Sequence, residues 1–318
     1  MAITSSDLTN LIVQYVPQIF SDGTTRSTYL RKLIQTKAAT RAGGSQWKFK
    51  NAGATASVLS EYDPLPASSK FTQLDAILDA QYIAGVIEIS DESMDMIDSN
   101  ALVLSDYLVE QINDSLVSID SQLETLTVGG VNGKFVGLGA WALDTGSPAG
   151  ISRASYSNWQ AFTAANGAVP RAFTEALMRS TMDTMLSTRQ GRPTAILMSP
   201  SKATAFRGFT GVGFATNTFN IGSGETGLVS PSGLGNASNM LQPVGLYDEV
   251  PVYRIPTMPS DKVWFLDLDA IHYAQVRAPR VSEPRRTDRR STIWDISVGV
   301  NLVVPNPTKN CAAIVDLS

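Results

Sequence analysis

Cysteine and histidine are almost absent from this 318-residue chain: Cys311 and His272 each stand alone. A single thiol excludes an intramolecular disulfide framework and any zinc site built on several thiolates, and it fits folding in a reducing cytoplasm. A single histidine leaves one candidate for a Ser-His-Asp set. It lies in the strand-like run Ala270-Ile271-His272-Tyr273-Ala274, where a hydrogen-bonded structural role is the plain reading. No Gly-x-Ser-x-Gly elbow sits at a strand-to-helix turn either, so catalysis has little to stand on. Long hydrophobic runs are missing too: no stretch reaches the roughly 20 apolar residues that span a bilayer. The N-terminus MAITSSDLTNLIVQYVPQIF has no positive n-region and is interrupted by Gln14 and Pro17, so neither a signal peptide nor a membrane partner is expected.

Positive charge is absent from one long interval. Between Lys70 and Lys134 there is no Lys or Arg, while acids recur from Asp75 to Glu124. The net charge of −4 hides this block and an opposing cluster at Arg277, Arg280, Arg285, Arg286, Arg289 and Arg290. Small net charge with local opposition favours self-association over coating of nucleic acid. The arginines have two functional readings, phosphate contact or docking on the acidic surface of another subunit, beside the plain one of a solvated loop. No aromatic residue interleaves with Arg285, Arg286, Arg289 and Arg290, which argues against base stacking.

No cofactor or metal is expected. Gly222-Ser223-Gly224-Glu225-Thr226-Gly227 matches a dinucleotide fingerprint by letter, but Leu228-Val229-Ser230-Pro231 follows in place of a helix. Asp91, Glu92 and Asp95 lack EF-hand spacing and read as acids at a helix start.

With 43% hydrophobic residues the chain can bury a sizeable core, as one large or two interleaved domains. Residues 1–44 read as an arm with two short apolar patches, one over Leu8 to Val16 and one at Leu30, Leu33 and Ile34. Residues 45–85 read as a long hairpin with a polar tip, Ala67-Ser68-Ser69-Lys70, beyond the strand-breaking Asp63-Pro64-Leu65-Pro66. A short helix is expected over Met94, Met96 and Ile97. After it, Leu104, Leu108, Ile112, Leu116, Ile119, Leu123 and Leu126 step by three or four, predicting a helix that ends at Gly129-Gly130. Asp106, Glu110, Asp114, Asp120 and Glu124 are read as mostly off that stripe, without basic partners at i+4. Further on, a helix over 173–188, a buried strand over 193–198 and a new helix after Ser199 predict an α/β layer. Residues 208–245 read as a long surface loop, and strands are expected at 250–255, 263–266, 271–276 and 293–304.

The run Ser57-Val58-Leu59-Ser60-Glu61-Tyr62-Asp63-Pro64-Leu65-Pro66, then Gly85-Val86-Ile87-Glu88-Ile89-Ser90-Asp91-Glu92-Ser93-Met94, resembles the E-loop and the start of the spine helix in major capsid proteins of tailed bacteriophages with the HK97 fold. Gly150-Ile151-Ser152-Arg153-Ala154-Ser155-Tyr156-Ser157-Asn158-Trp159 and Glu249-Val250-Pro251-Val252-Tyr253 are similar to stretches of the same family. The resemblance implies an α+β fold with an N-arm over 1–44, an E-loop over 45–85 and a P-domain with the spine helix over 86–150. An A-domain over 151–270 and returning C-terminal strands over 271–318 complete it. It implies a structural subunit, not an enzyme, that assembles in the host cytoplasm into hexamers and pentamers of an icosahedral virion capsid around double-stranded DNA. Scaffolding, portal and decoration proteins would be its other partners. Inter-subunit contacts would fall to Arg26, Arg31, Lys32, Glu61, Lys70, Arg285, Arg286, Arg289 and Arg290, and Asp106, Glu110 and Asp114 would face the lumen. Some members crosslink an E-loop lysine to a neighbour's asparagine; Lys70 sits where such a lysine would, with no asparagine or catalytic acid to assign to it. The rival readings are an encapsulin-like compartment shell and, from another class, a cytoplasmic α/β hydrolase or binding protein.

Overall fold

The computed structural model describes residues 29–52, 72–90, 101–209, 243–283, 285–286 and 290–318. In the long helix side chains are described from Glu110 onward, Asn113 excepted. In chain order the first elements are α1 (Leu30–Leu33), β1 (Gln35–Ala38), β2 (Gly44–Ala52), β3 (Thr72–Asp79), β4 (Gln81–Ser90) and α2 (Ala101–Val128). A tight turn of β5 (Val131–Asn132) and β6 (Phe135–Val136) follows, then α3 (Leu138–Trp141), β7 (Phe162–Ala164), α4 (Glu175–Asp183), β8 (Ala195–Met198) and α5 (Pro200–Phe206). The last group is β9 (Gly245–Tyr247), β10 (Val250–Arg254), β11 (Val263–Leu266), β12 (His272–Val281), β13 (Arg285–Arg286), β14 (Ser291–Val303), α6 (Pro307–Asn310) and β15 (Cys311–Ile314).

Two sheets organise these pieces. In the first, β14 is paired along one edge with β4 and along the other with β12 and β13, and β1 adds in parallel to β12. Strand β4 shows the period of two expected where one face is covered: Ile83, Ile87 and Ile89 are buried while Tyr82, Ala84, Val86 and Glu88 are exposed. The cover is α2, whose stripe Ile112, Leu116, Ile119 and Leu123 is fully buried. Helix and strand approach closely because Gly85 has no side chain; a Cβ there would lie 3.2 Å from Ile119 Cδ1 and 3.3 Å from the Ser115 carbonyl.

The second sheet has the order β7-β15-β11-β8-β10-β9 and is buried on both faces. Its alternation therefore separates two cores rather than core from solvent. Ile196, Met198, Val263, Phe265, Ala312 and Ile314 face Met178, Met182 and Met185 of the α4 region and Phe206 of α5. Ala195, Leu197, Trp264, Leu266, Cys311 and Ala313 join the main core, which is continuous with the first sheet and α2. Sheets covered on both sides read as unbroken apolar runs, which accounts for Ala195-Ile196-Leu197-Met198 and Val263-Trp264-Phe265-Leu266. Thr174 Oγ1 accepts the Leu177 N–H to cap α4, and Ser199 caps α5 ahead of Pro200. Beyond Asp183 the first of these helices widens into a π turn over Thr184–Thr188 that keeps Met185 buried.

Several expectations shift. The hairpin forms, with Gly44 opposite Asp79 and Lys50 opposite Gln73, but it closes at Asp79; residues 81–90 are one strand of the other sheet and run through the expected boundary at 85. The last residues of the supposed arm belong to the body: Leu30 and Ile34 are in the main core, and β1 is hydrogen-bonded to β12. Strand β15 carries no local signal, because Cys311-Ala312-Ala313-Ile314 has neither β-branched density nor alternation, yet it is an interior strand. The hairpin tip, the short helix at Met94–Ile97, the Gly222–Gly227 run and most of the 208–245 loop lie outside the described residues.

Helix α2 stops where expected. The Gly129 N–H still bonds the Thr125 carbonyl at 2.9 Å, after which Gly137 and Gly139 donate back to the Gly130 and Gly129 carbonyls. A Cβ on Gly137 would lie 2.3 Å from two carbonyl oxygens, those of Gly129 and Leu126. Gly137→Ala must push this turn off the helix end, and a loss of about 1–3 kcal/mol of stability is expected from such overpacking, measured by urea unfolding of the subunit.

Candidate functional site

The described residues hold no group of three or more His, Cys, Asp or Glu that could bind a metal ion. His272 sits in β12 with Nδ1 3.1 Å from the Ala270 carbonyl, and burial lowers its pKa. Cys311 is completely buried, which pushes its thiol pKa up and leaves it without the thiolate character that reactive cysteines need.

What the fold does build is a grip on the root of the hairpin. Trp47 and Phe49, two positions apart on β2, share one face of the strand and meet Trp141 and Trp159 of the body. The Phe49 and Trp159 rings are 4.5 Å apart in an edge-on arrangement, Trp141 and Trp159 are 6.0 Å apart, and Trp47 lies 6.4 Å from both tryptophans. Aromatic pairs of this geometry contribute about 0.5–1.5 kcal/mol each beyond the area they bury. Every indole N–H in the cluster has an acceptor: Trp47 bonds the Pro305 carbonyl, Trp141 that of Leu302 and Trp159 that of Pro148. Farther along β2, Asn158 Nδ2 donates to the Asn51 carbonyl at 2.7 Å.

Behind the rings is Arg153, wholly buried. Its guanidinium donates to the carbonyls of Ala140, Thr145 and Trp141, each at 2.8 Å, and to that of Trp159 at 3.3 Å. Removal from water lowers its pKa to about 10, so the cation persists at neutral pH. The planar fork thus holds the backbone of two of the clustered tryptophans at once. Asn301 does a similar job at the base of the hairpin. Its Nδ2 donates to the Asp79 and Lys134 carbonyls, both at 2.7 Å, and its Oδ1 accepts from Val136 and Leu302. In the amino-acid order Arg153 and Trp159 stand only within the stretch Gly150–Trp159, and nothing local assigns either a role.

The acids of α2 divide into two sets. Glu110 and Asp114 are exposed, and the Asp106 side chain lies outside the described residues. Asp120 and Glu124, read as off the buried stripe, are in fact buried, at 3% and 2% exposure. Their partners come from far away in the chain: Arg31 forms an ion pair with Asp120, the Tyr29 N–H donates to Glu124 Oε2 at 2.6 Å, and Thr257 Oγ1 donates to Glu124 Oε1 at 3.1 Å. Burial raises the Glu124 pKa above its usual value.

The anticipated contact residues are likewise divided. Arg31 makes its ion pair inside the chain, and Lys32 beside it is half-buried. Arg285 pairs with Asp295; Arg286 and Arg290 are exposed, as are Arg277 and Arg280 on β12. Arg26, Glu61, Lys70 and Arg289 lie outside the described residues.

Trp159→Ala empties the centre of the ring cluster, and a loss of about 3–5 kcal/mol is expected. Arg153→Lys keeps the charge but not the fork, leaving carbonyls unpaired at about 1–3 kcal/mol each. Both effects are read from denaturant midpoints, and the lysine variant retaining wild-type stability would show that the fork is dispensable.

A family model described as SU10 major capsid protein matches residues 80–318. Among solved structures, the chain is similar to the cyanophage A-1(L) capsid asymmetric unit, with 17% identity over 91% of this chain and 92% of that chain and a TM-score of 0.65. It is similar to the capsid of a native GTA particle computed with C5 symmetry, at 13% identity, 93% and 91% coverage and a TM-score of 0.61. A chain of Mycobacterium phage Bobi aligns over 99% of both chains at 12% identity with a TM-score of 0.55. No curated protein matches the sequence. At such identities the structural likeness shows the fold, an α+β architecture shared with HK97-like phage capsids. The family match covers most of the length and sets aside the hydrolase and binding-protein readings. The chain belongs to the SU10 major capsid protein family: it is a structural subunit of a viral or GTA capsid, built to associate with its own copies.

Proposed function

We propose that this subunit forms the hexamers and pentamers of an icosahedral head that encloses double-stranded DNA. In this reading the segment up to the root at Tyr29 is the N-arm, and the β2–β3 hairpin is the E-loop. The first sheet with α2 is the P-domain, and the six-stranded sheet with α4 and α5 is the A-domain, with β12, β14 and β15 as the returning C-terminal strands. The observation that carries it is the grip on the hairpin root. A β-hairpin anchored by Trp47 and Phe49 among body tryptophans is held at its root in one orientation, which suits an element that lies over a neighbouring copy. Many modest contacts of this kind, repeated by closed symmetry, add up to a stable shell.

Charge supports a division of labour. The exposed acids Glu110 and Asp114, with Asp106 one turn earlier, would face the lumen and keep the packaged phosphate backbone from adhering to the wall. Arg285, Arg286, Arg289 and Arg290 would serve contacts between subunits, together with Arg26, Lys32, Glu61 and Lys70; Arg31 is set apart by its pair with Asp120. Scaffolding, portal and decoration proteins would complete the assembly.

Negative-stain electron microscopy of the chain, expressed alone and with candidate scaffolding proteins, should give rings or closed shells of uniform diameter. Small monodisperse particles under every condition would count against the reading. Asp106→Asn, Glu110→Gln and Asp114→Asn combined should slow genome ejection and reduce packaged DNA several-fold, and the assignment of these acids to the lumen fails if both are unchanged.

A further inference from the structure

Asparagine is followed by glycine twice in the chain, at Asn132-Gly133 and at Asn166-Gly167. In such a pair the glycine nitrogen can attack the asparagine side-chain amide, because no Cβ on the following residue shields it. The fold treats the two pairs in opposite ways. At Asn166 the side-chain Nδ2 donates to the Val169 carbonyl at 2.8 Å, and the Val169 N–H donates back to the Asn166 carbonyl at 3.2 Å. The N–H groups of Asn166 and Ala168 both donate to Asp316 Oδ2, at 2.8 and 3.1 Å. The amide is thus tethered, and a carboxylate bonded on either side of Gly167 opposes a negative charge on the nitrogen between.

Asn132 has no such restraint. It ends β5, and the two-residue loop Gly133-Lys134 returns the chain to β6, with Val131 opposite Val136 and Asn132 opposite Phe135. Gly133 has a φ of +59°, the left-handed value that a tight hairpin loop takes at its first central position. Val131 to Lys134 are all exposed, and the Asn132 side chain forms no hydrogen bond with the described residues. Strands of two residues open at little cost, which lets the side chain and the Gly133 nitrogen meet.

We propose that Asn132 is a site of self-modification, and that its conversion loosens the base of the β2–β3 hairpin. Hydroxide takes the proton from the Gly133 nitrogen, which then bonds Asn132 Cγ. The Cγ–Nδ2 bond breaks, and Nδ2 takes a proton from water and leaves as ammonia, returning the hydroxide. The cyclic imide is opened by water. Addition at Cγ gives aspartate in a normal backbone, and addition at the Asn132 main-chain carbonyl routes the chain through the side chain, with an extra backbone carbon. The net change is water in and ammonia out. The lengthened backbone lies just ahead of Phe135, which is fully buried and cannot follow. Strain therefore falls on Lys134, whose N–H donates to Gln81 Oε1 at 3.1 Å. The Lys134 carbonyl accepts from Asn301 Nδ2 at 2.7 Å, and the same nitrogen holds the Asp79 carbonyl at the hairpin base. The proposal stands on this geometry and not on the capsid reading.

The test ages the unassembled full-length subunit in warm, mildly alkaline buffer made with heavy-oxygen water, folded in one sample and in urea in another. Mass spectrometry then follows the peptides that carry the two asparagines. In urea both should convert at similar rates, since glycine follows each; in the folded protein Asn132 should run several-fold ahead of Asn166. Asn132→Gln should abolish the change in its peptide. Asp316 has a φ of +60°, which glycine adopts freely, so Asp316→Gly removes the carboxylate without strain and should bring Asn166 towards the rate of Asn132. In the fraction with the lengthened backbone, hydrogen exchange over 72–82 should be several-fold faster than in unaged protein, while peptides over 195–198 and 263–266 are unchanged. Asn132→Gln aged alongside should keep the exchange of unaged protein. Equal rates at the two asparagines in the folded protein, or no conversion at Asn132, overturns the site. Unaltered exchange over 72–82 in the converted fraction overturns the loosening.

Discussion

A buried cation held by carbonyl oxygens is the constraint from which the rest of this subunit follows. Arg153 contributes no apolar surface of note to the core and carries a heavy desolvation cost, yet it ties together the backbone at Ala140, Trp141, Thr145 and Trp159. Those tryptophans are the sockets for Trp47 and Phe49, and through them the direction of the hairpin is determined by a residue more than a hundred positions away in the chain. The orientation of the hairpin root is set by hydrogen bonds with fixed geometry rather than by area alone.

The two sheets play different parts around this grip. The six-stranded sheet is closed off by apolar layers on both faces and is close-packed throughout. The first sheet is covered by α2 on one face only, and the face with Tyr82, Val86 and the row of arginines is open at its distal part. Asn301 fastens the first sheet to its surroundings, bonding the hairpin base, the β5–β6 turn and β14 with one side chain. A buried amide with all its bonding capacity used specifies a single arrangement of the elements it joins.

Much of this architecture was legible in the amino-acid order, and the illegible parts have a common cause. Helix α2 is legible because its stripe is periodic and Gly129-Gly130 closes it, both local signals. The runs at 195–198 and 263–266 announce strands, the first of them buried, but nothing local tells which neighbours they take. Strand β15 was invisible since two alanines between a cysteine and an isoleucine carry little propensity. The burial of Asp120 and Glu124 has no local signal because their partners Arg31, Tyr29 and Thr257 are 89, 95 and 133 residues away, and carboxylates on a helix with no cation nearby look like a solvated face. The role of Arg153 has no local signal: its acceptors are main-chain carbonyls, which every sequence has everywhere.

The lone thiol has a consequence for the finished particle. Cys311 lies between two apolar layers with no exposure, so sulfur cannot weld one folded copy to the next as conditions turn oxidising. Joints not locked through sulfur can open again before the particle closes. A misplaced subunit can then leave and be replaced, and a shell made from many identical pieces depends on such correction to close at one size.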